Sequence, residues 1–131
     1  MNKDLEKIEK IAKDVYKKLG SGFPEVVYDR AMQVGLRSEK IKYDTQKVVE
    51  LQYKGHYVGE GYPDLIVYFG AKKAVVELKA VGGEMGASEE QQIRNYMEIM
   101  GIKQGLLINF QQPGKKTEKT KLEIKEVTPK K

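Results

Sequence analysis

Apolar residues recur at three- and four-residue intervals in two segments near the N-terminus and in a third segment further along the chain. This spacing places them on one side of a helix, so it predicts three amphipathic helices. Ser88 is a residue type that commonly caps a helix N-terminus. We therefore expect helices over residues 3–18, 24–39 and 88–100.

Shorter apolar runs, separated by glycine-containing turns, predict strands over residues 48–53, 62–69, 74–80, 105–110 and 122–127. Short turns such as Lys54-Gly55 join the first three strands, which we expect to be antiparallel, whereas the strand after the third helix joins in parallel by a crossover. The order predicts one α/β domain over residues 1–127, with an α-β-β-β-α-β core, an extra N-terminal helix and a C-terminal edge strand. A disordered, Lys-rich tail is expected at 128–131.

Composition narrows the chemistry that the domain can support. The 131 residues include no Cys and one His, which excludes disulfides, thiolate metal sites and zinc sites with several histidines. No run of about 18 apolar residues is present, and the N-terminus is charged, so we expect a cytoplasmic protein without a membrane span. The net charge of +5 is concentrated in residues 113–131, which hold seven Lys and three Glu, so charge alone does not establish nucleic-acid binding.

Three charged residues occur within otherwise apolar strands. Asp64 begins one predicted strand, and Glu77 and Lys79 lie within the next. Charged groups in buried strands are costly unless they are paired or bind a metal. Strand alternation places Glu77 and Lys79 on one face, and antiparallel pairing brings Asp64 beside them.

These residues predict a magnesium site. Mg²⁺ prefers hard oxygen ligands, usually one or two carboxylates together with water and phosphate. Asp64, Glu77 and the backbone carbonyl of Leu78 would supply protein oxygens, while Lys79 would assist the nucleophile or stabilise charge on the phosphate. Glu25, near the start of the second helix, is the candidate further carboxylate.

An ordinary surface arrangement is the alternative. Glu77 and Lys79 would then form a charge pair on a solvated face, with Asp64 in a turn, and an isolated E-x-K triplet would favour that interpretation. The Pro63-Asp64 pair, the E-x-K triplet on the following apolar strand and the helix context together favour the metal site.

The motifs PD at 63–64 and ELK at 77–79, in this order of elements, resemble the PD-(D/E)XK nuclease superfamily. The segment GFPEVVY at 22–28 is similar to the G-x-x-E-x-x-Y signature of one subfamily, as are Gln46, QIRNY at 92–96 and GLLINF at 105–110. The resemblance covers about residues 5–127 and implies a restriction-endonuclease-like core.

The same resemblance implies the roles of individual residues. Glu25, Asp64 and Glu77 would be the metal carboxylates, with Mg²⁺ or Mn²⁺ as cofactor, and Lys79 the catalytic lysine. Many members of this subfamily have no established substrate, so membership would not by itself identify the reaction.

Gln92 and Tyr96 resemble the Q-x-x-x-Y motif of RecB-like exonucleases, and their spacing places both on one helical face. We predict that Gln92 joins the catalytic group by holding a phosphate or a water molecule, whereas for Tyr96 a core-packing role is an equal alternative. Tyr28, Gln46 and Tyr96 are candidate substrate contacts. The other tyrosines on strands are expected to pack, and His56 to be solvated in a turn.

The function that these observations favour is metal-dependent hydrolysis of phosphodiester bonds in DNA. One alternative is an endonuclease similar to archaeal Holliday-junction resolvases, which would form a stable homodimer and prefer four-way junctions. The other is a binding or interaction module that has the nuclease fold without turnover.

Overall fold

The structure is a computed structural model that describes residues 1–83, 85–114 and 119–129. Three helices and seven strands occur in this part of the chain. The helices are α1, α2 and α3, at Lys3–Leu19, Glu25–Ser38 and Ala87–Met100. The strands β1 to β7 are, in order, Lys42–Thr45, Val49–Tyr53, His56–Gly61, Leu65–Phe69, Lys72–Lys79, Gln104–Phe110 and Leu122–Val127.

Five of the strands form a mixed sheet in the order β1-β4-β5-β6-β7. β4 and β5 are antiparallel, joined by the tight turn at Gly70, and β6 joins β5 in parallel after α3 crosses the sheet. β7 is the antiparallel edge strand beside β6. The predicted α/β class, the parallel crossover and the C-terminal edge strand are confirmed.

The sheet separates two apolar cores. Alternate residues of β4, β5 and β6 face α1 and α2, whose buried positions include Leu5, Ile8 and Met32. The remaining residues of the same strands face α3, which contributes Ile93 and Met97. Period-two alternation therefore assigns each strand residue to one of two environments.

The prediction for the first strand of the sheet is wrong. Residues 48–53 were expected to pair with residues 62–69, but Val49–Tyr53 pairs with His56–Gly61 in a separate two-stranded hairpin. The strand that pairs with Leu65–Phe69 is instead Lys42–Thr45, which carried no apolar pattern because it is a short, partly exposed edge. The two-residue Lys54-Gly55 turn favours the local hairpin over a longer-range partner.

Smaller differences concern element ends and exposure. α3 is capped by Gly86 rather than Ser88, and the Glu89 carboxylate accepts a hydrogen bond from the Gly86 amide at 3.0 Å. Three tyrosines expected to pack, Tyr53, Tyr57 and Tyr62, are exposed, and His56 begins a strand, although it is solvated as expected.

Two further predictions concern the C-terminal tail and the absence of a membrane span. The predicted tail falls partly on residues 130 and 131, which lie outside the described residues. Within the described residues, no helix combines the length and apolar character needed to cross a bilayer.

Candidate active site

The C-terminal half of β5 carries the charged residues of the site. Glu77 and Lys79 point to the face of the sheet that α3 covers, and Leu78 points into the opposite core. Glu77 is only 5% exposed, whereas Lys79 is half-buried at the strand end. The predicted alternation therefore gives a buried carboxylate beside a cation that reaches the surface.

Asp64 is joined to β5 by two hydrogen bonds. The Asp64 amide donates to Glu77 Oε1 at 2.9 Å, and Asp64 Oδ2 accepts from the Leu78 amide at 2.8 Å. Pro63 and Asp64 precede the first residue of β4, so the antiparallel pairing of β4 with β5 positions this contact. One oxygen of each carboxylate is therefore engaged by a backbone amide.

Two acidic residues of α2 interact with this pair through space. Glu25 is the first residue of the helix, and its pKa is raised, first by desolvation and then by the charge of Asp64, against the opposing effect of Lys79. Asp29 lies one helical turn further on and raises the pKa of both Glu25 and Asp64. The carboxylates of Glu25 and Asp29 therefore add negative charge around Asp64 and Glu77.

Desolvation dominates the electrostatics of the buried pair. It raises the pKa of Glu77 to about 8, with further upward contributions from Asp64 and Glu25 and a lowering by Lys79. Desolvation also raises the pKa of Asp64, although the hydrogen bond from Leu78 opposes it. Carboxylates that gain protons in this way become full ligands when a cation replaces the proton.

The buried side chain of Tyr28 holds the loop before α2 in place. The Tyr28 hydroxyl donates to the Gly20 carbonyl at 2.7 Å and accepts from the Gln112 side chain at 3.2 Å, while its ring stacks on Phe110 at 4.5 Å. Gly22 has φ +104°, which favours glycine, and its amide donates to Gln112 Oε1 at 2.7 Å. The spacing from Gly22 to Tyr28 thus serves to fix the loop that presents Glu25.

Tyr28 was also predicted to contact a substrate, and its position contradicts that role. The side chain is 0% exposed, and its hydroxyl is engaged within the protein. An apolar stripe on α2 buries the ring, so the tyrosine supports the site from the core.

Gln92 and Tyr96 lie on the α3 wall of a groove that also contains Lys79. The groove has a volume of about 630 Å³, and the hairpin residues Leu51 and Gly61 form part of its other wall. Gln92 Nε2 donates to the Tyr96 hydroxyl at 3.3 Å, and the Tyr96 ring is 94% buried against Gly61. A Cβ at Gly61 would lie 2.5 Å from the ring, so glycine permits this contact.

Gln46 lies on the other side of Asp64. Its side-chain amide is 3.5 Å from Asp64 Oδ1, and its backbone amide is 3.4 Å from the Asp64 carbonyl. Gln46 is exposed and has φ +49°, a conformation that is strained for a non-glycine residue. The turn after β1 therefore directs an amide group to the edge of the carboxylate pair.

Asn109 was missed by the sequence reasoning. It is fully buried and paired with Lys79 in the parallel register of β5 and β6. Its Oδ1 accepts from the Val81 amide at 3.0 Å, and its Nδ2 donates to the Val81 carbonyl at 3.2 Å. An Asn inside the apolar run GLLINF was the available signal, because a buried amide requires partners.

Asp29 was also missed, although its spacing from Glu25 was visible. Residues four apart share a helical face, so the spacing alone could have placed a carboxylate at 29 near the one at 25. Its charge acts on Asp64 from the same side as that of Glu25.

The donor set fits a hard divalent cation in chemistry, since it consists of carboxylate oxygens beside a backbone carbonyl. Asp64 and Glu77 are in direct contact, and Glu25 is coupled to them electrostatically. Nevertheless, within residues 1–83, 85–114 and 119–129, no group of three His, Cys, Asp or Glu side chains is arranged to hold a metal ion. The two neighbouring carboxylates of Asp64 and Glu77, held by the backbone amides of Leu78 and Asp64, are therefore the feature that the fold supplies.

Comparison with known protein families gives a match over most of the chain. A family model described as the PD-(D/E)XK nuclease superfamily matches residues 2–122. No curated protein matches the sequence.

The fold is similar to a solved structure titled "Crystal structure of SSO0001", with a TM-score of 0.54 and 18% sequence identity. The similarity covers 81% of this chain and 53% of the other, so the chain spans about half the length of that structure's chain. At this identity the likeness concerns the fold alone.

Proposed function

We propose that this chain, which belongs to the PD-(D/E)XK nuclease superfamily, is a metal-dependent nuclease that hydrolyses phosphodiester bonds in DNA. The observation that carries the proposal is the hydrogen-bonded pair of Asp64 and Glu77, with Lys79 two residues further along the same strand face. Two desolvated carboxylates beside a surface-reaching cation are suited to a metal and a phosphate together. We further propose membership of the G-x-x-E-x-x-Y subfamily, on the match at 22–28.

Asp64, Glu77 and the Leu78 carbonyl would hold Mg²⁺ or Mn²⁺, with Glu25 as the further carboxylate. The bound cation would polarise the phosphate and lower the pKa of water. Burial of Glu77 makes this carboxylate costly to ionise in the absence of a cation, which favours binding over an empty charged site.

Lys79 would act on the reacting groups. Its ammonium group stands at the groove, where it can stabilise charge that develops on the phosphate and orient the attacking water. It also lowers the pKa values of Glu25, Asp64 and Glu77, so it keeps part of the carboxylate cluster ionised.

Amide side chains would position the substrate on either side of the carboxylates. Gln92 in the groove and Gln46 beside Asp64 can both donate to phosphate oxygens. Tyr96 would contribute through its hydroxyl, which meets Gln92, rather than through its buried ring.

The direct test is cleavage of single-stranded, duplex, flapped and four-way-junction DNA, with and without Mn²⁺. We expect Mn²⁺-dependent cleavage that Lys79→Ala lowers by about two to three decades, as for loss of a group that stabilises transition-state charge. Lys72→Ala, at the exposed opposite end of β5, is the matched control and should leave the rate unchanged. Equal rates for the two variants would contradict the assignment of Lys79.

The metal site can be tested without a substrate by thermal unfolding of Asp64→Asn. In excess chelator this variant should melt at a higher temperature than the parent, because one of several neighbouring negative charges is removed. It should also lose most of the stabilisation that Mn²⁺ gives the parent. Unchanged melting in both conditions would mean that Asp64 is not part of a charged cluster.

A non-catalytic module with the same fold is the second candidate function. The observation that favours it is the lack of a three-ligand cluster among the described residues. Saturable Mn²⁺ stabilisation of the parent, without cleavage of any of these DNA forms, would select this alternative.

A further inference from the structure

A row of three side chains crosses the sheet at the end remote from Lys79. Lys42 of β1 is paired with Tyr68 of β4, which is in turn paired with Lys73 of β5. The Lys42 and Lys73 ammonium groups lie 5.3 and 5.4 Å from the centroid of the Tyr68 ring. We refer to Lys42, Tyr68 and Lys73 as the basic ladder.

The basic ladder lies on the same face of the sheet as the candidate active site. Lys73 and Glu77 are four residues apart on β5, so strand alternation directs both side chains to the α3 side. The Tyr68 ring packs against the apolar core on that side, which confirms the assignment. On the other face, beneath α1 and α2, β4 and β5 carry the apolar residues Val67, Phe69 and Ala74 beside the exposed Lys72.

The edge strand β1 connects the ladder to the active site. Lys42 begins this strand, and Gln46, whose side chain meets Asp64, follows its end. Four residues of extended chain span about 13 Å. The direct route over the sheet is closed by buried Ile66 and Val75, so a ligand that joins the two places would follow the exposed β1 edge.

The charges of the ladder are incompletely balanced. Within the described ranges, neither Lys42 nor Lys73 is within ion-pair distance of a carboxylate, whereas Lys13 and Lys18 on α1 each pair with an acid four residues earlier. The carboxylate nearest the ladder is Asp44, which accepts a hydrogen bond from the Tyr68 hydroxyl and faces Lys47 at 3.9 Å.

The local energetics favour an external anion. A cation–π contact at an exposed site contributes about 0.5–1 kcal/mol, and two ammonium groups around one ring repel each other. A bound anion would relieve that repulsion, because both ammonium groups lie around the same ring.

We propose that Lys42 and Lys73, held apart by Tyr68, bind the phosphate backbone of a DNA strand whose scissile phosphate lies at Asp64, Glu77 and Lys79. This inference rests on the proposed function and adds a second contact, about 13 Å along the β1 edge from Gln46. Phosphate contacts of this kind fix the register of a nucleic acid without reading its sequence. The ladder would therefore strengthen binding of long substrates and leave the chemical step unaltered.

The test compares Lys42→Gln/Lys73→Gln with Lys13→Gln/Lys18→Gln, which removes the same charge from α1. Binding of a fluorescein-labelled oligonucleotide is measured by anisotropy over roughly 50–200 mM salt, with Lys79→Ala added to every protein to prevent cleavage. Turnover of bis(p-nitrophenyl) phosphate, a diester too small to reach from the site to the ladder, is measured with Lys79 intact. Thermal unfolding checks that all variants are folded.

We expect the ladder variant to reduce the slope of log affinity against log salt by between about 1.4 and 2, as for two lost phosphate contacts. The α1 variant should keep the parental slope, and both should hydrolyse the small diester at the parental rate. If the parent binds and hydrolyses while the ladder variant keeps its slope, the ladder assignment is wrong and the proposed function stands. If the parent neither binds the oligonucleotide nor hydrolyses the diester, both proposals are wrong.

Discussion

The two faces of the five-stranded sheet differ in chemistry although the same strands form both. On the face beneath α1 and α2, the buried side chains of β4, β5 and β6 are apolar, such as Leu78 and Ile108, and the polar Lys72 and Gln104 lie at the strand starts. On the face beneath α3, the same strands also present Glu77 and Asn109, the two buried polar residues of the described chain. Neighbouring residues of one strand therefore lie in different environments. One packs in the core that stabilises the fold, and the next belongs to the candidate site.

The difference follows from how completely each face is covered. Two helices close the first face and bury its side chains, so polar groups there would lack partners. On the second face a helix and a short hairpin leave the ends of β4 and β5 open, where Asp64 and Lys79 meet solvent. Partial cover desolvates the charged groups without closing the groove, as the proposed cation and substrate would require.

The sharpest test of this comparison uses two neighbours on β5. Leu78→Ala should lower the free energy of unfolding by about 2–5 kcal/mol, because it leaves a cavity in a fully buried position. Glu77→Gln should instead stabilise the metal-free protein above neutral pH, since the amide oxygen can still accept from the Asp64 amide. Chemical denaturation of both variants in chelator measures each change in the free energy of unfolding. A decrease in both variants would show that the two faces do not differ.

The pH dependence of stability gives the second test. The pKa of Glu77 is about 8 in the folded protein, against an ordinary value of 4.5, so the folded state holds a proton that the unfolded chain has released between these limits. The contribution of Glu77 to stability should therefore be full below about pH 4.5 and be lost as pH rises toward 8, by up to about 1.4 kcal/mol per pH unit. Glu77→Gln should flatten the profile measured in chelator, and an unchanged slope would refute the assignment to Glu77.

A third test concerns the groove on the open face. Gln92→Ala should lower the cleavage rate by about one to two decades, because an amide contact to a charged group contributes about 1.5–3 kcal/mol. Gln92 is exposed, so the melting temperature should not change. Glu98→Ala, on the same helix but outside the groove, serves as the control. Full activity of Gln92→Ala would show that Gln92 is an ordinary surface residue.

The smallest expected effect lies on the closed face. Tyr28→Phe keeps the ring stacked on Phe110 but removes the hydroxyl that holds Gly20 and Gln112, which should cost about 1 kcal/mol of stability. Since Tyr28 would act only by positioning Glu25, kcat should fall while KM is retained. A changed KM with unchanged kcat would indicate direct substrate contact and contradict the burial of this residue.

Prediction succeeded where a local pattern carries the information. The helices over α1, α2 and α3 follow from apolar spacing, and the alternation of Glu77, Leu78 and Lys79 assigns the faces of β5 correctly. It failed at β1, because four partly exposed residues have no pattern of their own and become a strand only by pairing with residues 20 to 26 positions away. Tyr28 failed for a related reason, since a signature spacing does not reveal whether a side chain points to solvent or to the core.

Composition and periodicity are enough to show which residues carry charge in apolar strands, where the helices run and that any metal site would use hard oxygen ligands. Long-range contacts were needed to show that Asp64 contacts Glu77, that Asn109 supports the backbone beyond Lys79 and that the charge of Asp29 acts on Asp64. The difference is one of range along the chain. Periodicity and composition are local properties of the chain, whereas desolvation and charge coupling depend on which distant segments meet, and these set the pKa of Glu77.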